Sequence, residues 1–224
     1  MRKRQLIRIS AIISAISGMV ILAGVIYPIA SYEISSRQKY PTLLSPLADN
    51  YTLSSFYKTD YTKASNWFSG DGSKVLGANN NLGVQFYTIT IPKLKIDKAQ
   101  VELGGEDLSN HLVQYRGTNL PGKNGNAVIF GHSILPQFYD PKNYMSIFST
   151  LPTLSVGDEI FVDYDGIHYT YRVENLYEVL PTNLQVLDQT LDDSYLSLIT
   201  CVPPGHPLKP RRLVVRARIV PPDL

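Results

Sequence analysis

The sequence lacks most of the residue patterns that mark a cofactor, metal or nucleic-acid site. One cysteine among 224 residues excludes an internal disulfide. No cysteine or histidine cluster has metal-ligand spacing, and there is no glycine-rich phosphate loop. The formal net charge is only +2, and basic residues gather only at the N-terminal tip and in residues 211–218, which argues against nucleic-acid binding. We therefore expect no cofactor, no bound metal and no nucleic-acid partner.

Charge is also absent from residues 9–30, which follow the basic residues Arg2, Lys3, Arg4 and Arg8. As a helix these 22 residues would be about 33 Å long, enough to cross a bilayer. A cleaved signal peptide is the alternative, but the stretch exceeds the usual ~7–15-residue apolar region and Pro-Ile-Ala at its end is a poor cleavage site.

Basic residues flanking a membrane span stay on the cytoplasmic side. We therefore predict a cytoplasmic tip at residues 1–8, a transmembrane signal anchor at 9–30, and an extracellular remainder. Residues 31–84 are rich in Ser, Tyr, Asn, Thr and Lys and have no persistent helical or strand period. They are predicted to form a stalk, with a short helix near 31–40 and local structure around Trp67.

The remaining residues, 85–224, suit one domain of ordinary size and have an all-β pattern. Residues 127–130 form a continuous apolar run, which is typical of a strand buried on both faces. Residues 159–164 and 167–173 flank Asp165-Gly166, and this pair predicts a hairpin with a type I′ turn. Many short strands with few helical patterns favour a barrel or a sandwich.

The only cysteine ends an apolar run at residues 197–201, Ser-Leu-Ile-Thr-Cys, and Val-Pro-Pro-Gly follows it. Proline and glycine break a strand, so Cys201 is predicted at a strand end beside a loop, where a substrate can reach it. His132 ends a second apolar run and Arg212 opens a third. Together they supply a nucleophile, an acid/base and an oxyanion or carbonyl clamp, and an imidazolium and a guanidinium would favour the thiolate. A buried core residue is the alternative for a lone cysteine.

Three other histidines compete with His132 for the role of general acid/base. His168 shares one face of its strand with Thr170 and Arg172, so it is predicted to face solvent. His111 lies among turn residues. His206 is the main rival because it lies only five residues beyond Cys201. A Gly-His-Pro loop tip holds a side chain poorly, however, so the strand-end His132 is preferred.

Four arginines crowd the last strand pattern, and side-chain alternation selects one of them. If residues 202–211 connect two antiparallel strands, Arg212 lies opposite Cys201 and projects to the same face. Arg216 shares that face but would be about 13 Å farther along the strand. We therefore predict that Arg212 is the working arginine, and that replacing Arg211 or Arg216 changes activity only a few-fold.

The three segments resemble the sortase family of bacterial cell-surface cysteine transpeptidases. The family's Thr-Leu-x-Thr-Cys signature corresponds to residues 197–201 with Ser in first place, its strand ending in Gly-His to 131–132, and its arginine before an apolar strand to Arg212. The resemblance covers about residues 87–220 and implies an all-β, eight-stranded sortase-type barrel with short helices, behind an N-terminal transmembrane helix. The short loop 202–211 and the absence of a lid motif favour a housekeeping enzyme or one similar to class D or E.

The resemblance also implies a function, with Cys201, His132 and Arg212 as the catalytic residues. A transpeptidase of this family cleaves a sorting signal of the Leu-Pro-x-Thr-Gly type through a thioacyl-enzyme and transfers the surface protein to an amine. The implied partners are proteins with a C-terminal sorting signal, an amine acceptor on a peptidoglycan precursor or pilin lysine, and the membrane. The expected location is the cell membrane, with one span and an extracellular catalytic domain.

Other features are open to more than one interpretation. Thr200 is a candidate substrate-binding residue or a packing residue, and Tyr115 and Asn119 line the cleft or are simply exposed. Some sortases bind calcium between loops, but acids beside a turn are more often solvated, so no metal is predicted here. The acids concerned are Glu102, Glu106 and Asp107.

Some pilus-type sortases carry a lid upstream of the barrel, but the Asp-Pro-aromatic lid motif is missing, so a stalk is preferred for residues 31–84. Two other functional classes stay open. One is a membrane-anchored hydrolytic cysteine peptidase, although the papain-like order places Cys before His. The other is a catalytically inactive binding module.

Overall fold

The computed structural model describes residues 2–40, 42–43, 60–68 and 85–221. Short 3₁₀ turns lie between several of the strands. The helix and the strands, in chain order, are α1 (Arg2–Lys39), β1 (Thr42–Leu43), β2 (Phe86–Ile91), β3 (Ile96–Leu103), β4 (Leu112–Gln114), β5 (Gly125–Phe130), β6 (Glu159–Tyr164), β7 (Ile167–Val179), β8 (Ser194–Val202) and β9 (Arg211–Ile219).

Eight of the strands form a closed barrel in the order β7-β6-β2-β3-β4-β5-β8-β9, and β9 pairs back to β7. The last strand, β9, runs antiparallel to both of its neighbours, β8 and β7. The two-residue β1 adds to β7 in parallel. This architecture confirms the predicted eight-stranded barrel preceded by an apolar helix.

The predicted hairpin is formed by β6 and β7. Its turn residues Asp165 and Gly166 have φ values of 52° and 74°, the left-handed values that a type I′ turn requires. β7 is longer than predicted because its second half pairs with β9 instead of β6.

β5 and β8 are buried along their whole length and lie next to each other. One face of this pair points into the main core, to which Ile129 and Leu198 belong. The other face lies under a second apolar cluster that contains Phe130, Cys201 and Trp67. Cover on both faces explains why these two strands are continuous apolar runs.

α1 is long and apolar enough to cross a membrane, and its C-terminal part packs on the barrel. The Tyr32 hydroxyl donates to Glu178 Oε1 at 2.7 Å, and the Tyr40 hydroxyl donates to the Pro152 carbonyl at 2.7 Å. This part of the helix therefore belongs to the folded domain.

The short helix predicted near residues 31–40 and the local structure predicted around Trp67 are both present, but where the structure describes residues 31–84 they pack on the barrel and do not stand apart from it as a stalk would. Residues 31–39 continue α1 without a break, and residues 60–68 contact the barrel at the site described below. Its other residues, 41, 44–59 and 69–84, lie outside the described part of the chain.

Candidate active site

The strand ends that carry His132 and Cys201 lie side by side. β5 and β8 are parallel and in register up to the residues just before this point. Beyond it, Thr200 Oγ1 donates to the Gly131 carbonyl at 2.8 Å and Ser133 Oγ donates to the Cys201 carbonyl at 2.6 Å. Parallel pairing therefore brings two distant stretches of the chain to the same end of the barrel.

Arg212 faces Cys201 from the third strand of the site. β9 is antiparallel to β8, and Cys201 pairs with Arg212, which confirms the predicted register. Arg216 pairs with Ser197, farther from the strand end, and its Nε lies 3.3 Å from Glu174 Oε1. The three predicted catalytic residues therefore meet at one end of the barrel.

Arg211 has a structural role that the sequence did not reveal. Its Nη1 donates to Glu33 Oε1 at 3.1 Å, and its Nε lies 2.8 Å from Oε2 of the buried Glu178. Removing one partner of a buried ion pair typically costs about 3–5 kcal/mol. Arg211 lies in β9 next to Arg212, as the alternation argument required, and its side chain ties α1 to β7 and β9. The expected few-fold effect on activity stays a prediction, and the same contacts indicate a loss of stability in Arg211→Ala.

Cys201, His132 and Arg212 are each at most 2% exposed, because another element covers them. That element is residues 60–68, called here the cover segment. It pairs with the loop between β3 and β4, where Leu108 N donates to the Thr62 carbonyl at 2.9 Å.

Trp67 is the residue of the cover segment that reaches the site. Its carbonyl oxygen accepts hydrogen bonds from Arg212 Nε at 3.1 Å and Nη2 at 2.9 Å. Its ring stacks on Phe130 at 5.2 Å between centroids and lies 5.7 Å from the His132 ring. The guanidinium that was predicted to hold a substrate carbonyl holds a backbone carbonyl of the same chain.

Burial beneath Trp67 changes the protonation of His132. Desolvation, and then the positive charge of Lys209, lower the pKa of His132 to about 4, against smaller opposing effects of Asp107 and Asp60. The ring Nε2 is buried and has no hydrogen-bond partner among the described residues. His132 is therefore neutral at pH 7 in this conformation, whereas the sequence interpretation invoked an imidazolium beside the thiol.

Lys209 is a second cation at the site, and the sequence analysis missed it. Its carbonyl accepts Arg212 Nη1 at 2.8 Å. Its Nζ lies 4.7 Å from the ring centroid of Tyr61 in the cover segment, and the Arg212 guanidinium lies 5.4 Å from the same ring. Burial lowers the pKa of Lys209, and the charge of Cys201 opposes that shift. Its place in the short loop after Cys201 was the only sequence signal.

Two of the predicted substrate-binding residues lie near the site. Thr200 is fully buried, and its hydroxyl donates to the Gly131 carbonyl, which aligns β8 with β5. Its role in substrate binding stays a prediction. Tyr115 is half-buried, with its ring 5.3 Å from that of Phe130, beside the cover segment.

Asn119, the third of these residues, is at the opposite end of the barrel. A Cβ on Gly125, the first residue of β5, would lie 2.0 Å from Asn119 Nδ2. His132 comes seven residues after Gly125, which is about 23 Å along an extended strand. Asn119 therefore lies far from the three catalytic candidates, because the loop before β5 runs back along the barrel, and its role in substrate binding stays a prediction.

The other histidines are engaged elsewhere. His168 Nδ1 lies 2.6 Å from Asp163 Oδ1 on the exposed hairpin, and His111 Nδ1 lies 3.9 Å from Glu102 Oε2. His206 lines a cavity against α1. Only His132 ends the strand next to Cys201.

The acids weighed as calcium ligands have structural contacts. Glu106 Oε2 accepts Ser65 N of the cover segment at 3.1 Å, and Asp107 Oδ1 accepts Ser109 N of its own loop at 2.8 Å. Within the described ranges, no three or more His, Cys, Asp or Glu side chains form a group that could hold a metal.

Comparison with known proteins adds independent information. A family model described as Sortase domain matches residues 89–220. Sortase A of Streptococcus agalactiae serotype III (strain NEM316) is 25% identical over 132 residues, which are 58% of this chain and 51% of the relative. The matched part thus spans about half the length of that curated relative.

Solved sortase structures share the fold. A Clostridium perfringens sortase D5 transpeptidase superposes with a TM-score of 0.53 at 20% identity, covering 89% of this chain and 99% of that one. A lid mutant of sortase A from Corynebacterium diphtheriae superposes with a TM-score of 0.54 at 26% identity, covering 69% and 82%. Because the matched residues 89–220 span nearly the whole barrel and include His132, Cys201 and Arg212, this chain belongs to the sortase family.

Proposed function

We propose that this protein is a membrane-anchored cysteine transpeptidase that cuts a sorting signal and joins the released surface protein to an amine. The observation that carries the proposal is the pairing of Cys201 with Arg212, with His132 on the neighbouring strand end. A nucleophile, an oxyanion donor and a proton carrier must lie this close to act on one carbonyl. The Leu-Pro-x-Thr-Gly type of signal and an acceptor on a peptidoglycan precursor or pilin lysine are parts of this proposal.

In the first half of the reaction, the Cys201 thiolate attacks the carbonyl carbon of the threonine in the signal. Arg212 donates N–H groups to the oxyanion, and protonated His132 gives its proton to the leaving amine as the C–N bond breaks. In the second half, an incoming amine attacks the thioester and neutral His132 takes the proton from it. The thiolate and the imidazolium are thereby restored.

The described conformation is a covered one, and we include a gating step in the proposal. Trp67 occupies the Arg212 guanidinium and dehydrates His132, so both residues become free for substrate only when the cover segment moves. The lid interpretation, set aside on motif grounds, is thereby preferred.

The membrane topology is also proposed. One helix, Ile7–Lys39, is long and apolar enough to span a bilayer, and the basic residues before it favour a cytoplasmic N-terminus. The catalytic barrel would then be extracellular. Assignment to class D or E, and independence from any cofactor, stay predictions.

A labelled sorting peptide, incubated with full-length protein in vesicles with and without an amine acceptor, tests the proposal. We expect an amine-dependent ligated product and a thioester on Cys201 that mass spectrometry detects. Hydrolysis alone would indicate a peptidase, and binding without cleavage would indicate an inactive module. Cys201→Ala is the negative control, and Trp67→Ala is run in parallel so that a covered site is not mistaken for an inactive one.

A further inference from the structure

Contacts at several points along α1 fix the position of the barrel relative to the helix axis. Near the middle of the contact, Arg211 Nη1 donates to Glu33 Oε1 at 3.1 Å. At the C-terminal end, Lys39 Nζ donates to the Pro152 carbonyl at 3.0 Å. Contacts spread over this length leave the domain no freedom to pivot about the end of the helix.

The domain also touches α1 before the uncharged stretch ends at Ala30. Gln137 Nε2 donates to the Gly24 carbonyl at 2.8 Å. On the C-terminal side of this contact, a cavity between α1 and the β8–β9 loop is lined by residues that include Ile26 and Pro207. Gly24 precedes Ala30 by six residues, which is about 9 Å of helix.

Counting along the helix gives the depth of Gly24. If Arg8 marks the inner edge of the hydrocarbon, a ~30 Å core needs about 20 residues, so its outer edge lies near Pro28. Gly24 is then about 6 Å inside that edge. Helix tilt moves Gly24 deeper, and snorkelling of Arg8 moves it outward by about one turn. Tyr27, 74% exposed, lies at the level where aromatic belts form.

Two uncharged loops of the domain meet at this level. Residues 133–139 and 202–208 contain no Asp, Glu, Lys or Arg. The loops pack on each other, since a Cβ on Gly205 would lie 2.5 Å from Leu135 Cγ. Phe138, next to Gln137, is 63% exposed. An exposed phenylalanine on an uncharged surface beside a membrane span fits the bilayer interface.

We propose that the outer parts of these loops, residues 134–139 and 205–208, form a membrane-seating surface whose partner is the lipid bilayer that α1 spans, with Phe138 in the headgroup layer. This inference rests on the proposed transmembrane anchor. The two loops follow His132 and Cys201 almost directly, so seating places the catalytic end of the barrel next to the membrane. A substrate must then present its cleavage site close to the lipid surface.

Spin labels on full-length protein in lipid nanodiscs test this seating. In a Cys201→Ser background each introduced cysteine is unique, because the chain has one native cysteine. Phe138→Cys is the test position, Ile16→Cys marks the span, and Val156→Cys is the matched control. Val156 is 67% exposed and lies near Pro152, at the far end of the α1 contact.

We expect a water-soluble nickel reagent to collide with the label at position 138 several-fold less often than with the label at position 156, because a label in the headgroup layer is partly shielded from bulk water. Equal collision rates at these two positions, with the label at position 16 protected, would overturn the seating and leave the anchor intact. An accessible label at position 16 would overturn the anchor and the seating together.

Discussion

The strand ends around Cys201 and the cover segment that lies over them are held in place by different interactions. The strands β5, β8 and β9 are joined by continuous backbone pairing. The cover segment is attached by a few hydrogen bonds to the β3–β4 loop, by the Arg212 guanidinium and by three buried side chains, those of Ala64, Trp67 and Phe68. Regions with few contacts open at a small fraction of the free energy of global unfolding. The catalytic geometry is therefore durable, while access to it depends on a weakly held segment.

Removing the thiol should have the largest effect. Cys201→Ala is expected to abolish peptide cleavage and all thiol labelling, because no other cysteine exists in the chain. The barrel should stay folded, since a small apolar residue replaces a small one in a buried strand. Circular dichroism and labelling with a maleimide reagent check both statements. Cleavage retained by this variant would end the transpeptidase proposal.

Replacing Arg212 should have the second-largest effect on activity. Loss of an oxyanion donor typically costs about 10²–10³-fold, so we expect Arg212→Ala to lower kcat/KM by that order. Arg212→Lys should recover little, because a point charge replaces a planar fork. Arg216→Ala is the matched control and should stay within a few-fold of the parent. The kinetics are best measured in the Trp67→Ala background, and a larger loss at Arg216 would contradict the assignment.

The strand register at this site could be predicted from the sequence, whereas the burial and the charge of its side chains could not. Alternation along two strands joined by a proline-rich loop leaves one arginine opposite Cys201, so the Arg212 register follows from local pattern alone. Trp67 gives no such signal, because residues 60–68 have no period and the ring packs on strands far away in the chain. The charge of His132 could not be predicted because it depends on that same packing.

The distance of Asn119 from Cys201 could not be predicted for a related reason. Which end of a barrel a loop residue reaches depends on the path of the loop, and no local sequence pattern specifies that path. The hairpin at Asp165-Gly166, in contrast, was predictable. Its turn requires left-handed backbone at both residues, and an Asp-Gly pair favours that conformation.

Opening the cover segment by mutation should expose the thiol. Burial of a tryptophan is worth about 3–5 kcal/mol by truncation to alanine, so Trp67→Ala should raise the open fraction, and the rate of Cys201 alkylation, by about 10²–10⁴-fold. Phe161→Ala is a suitable control, because that ring stacks on His168 at 5.5 Å, away from the site. An unchanged alkylation rate in Trp67→Ala would mean that the cover segment is not the barrier.

Falling pH should open the cover segment by a smaller factor. His132 has a pKa of about 4 under Trp67 and an ordinary value of 6.5 when solvated. The open state therefore binds the proton more tightly, and it gains stability as the pH falls below 6.5 toward 4. Between pH 7.5 and 5.5 the opening equilibrium should rise about tenfold.

Trp67 is the only tryptophan, so a red shift of its emission reports the opening. Asp60 and Asp107, the acids that act on His132, both have a pKa below the usual value because of hydrogen bonds, so they stay charged in this range. His132→Gln should remove the pH dependence. An equal red shift in that variant would assign the titration to another group.

Replacing Lys209 should have the smallest of these effects, a shift in the pH at which the cover segment opens. Its positive charge helps to lower the pKa of His132, so Lys209→Met should move the midpoint of the fluorescence transition upward, by less than about one pH unit. Methionine keeps the length of the side chain beside Tyr61. Lys63→Met, in the exposed part of the cover segment, is the matched control, and a midpoint that falls or stays fixed would contradict the assigned electrostatic role.

β9 both closes the barrel and carries Arg212, because it pairs with β8 on one edge and β7 on the other. It is the last described strand to be synthesised, and chains are made from the N-terminus onward. A partly exported chain would therefore display the thiol of Cys201 without an oxyanion donor opposite it. Under the proposed function, catalytic competence would therefore arrive only with completion of the barrel, because the strand that brings Arg212 to Cys201 is also the strand that closes it.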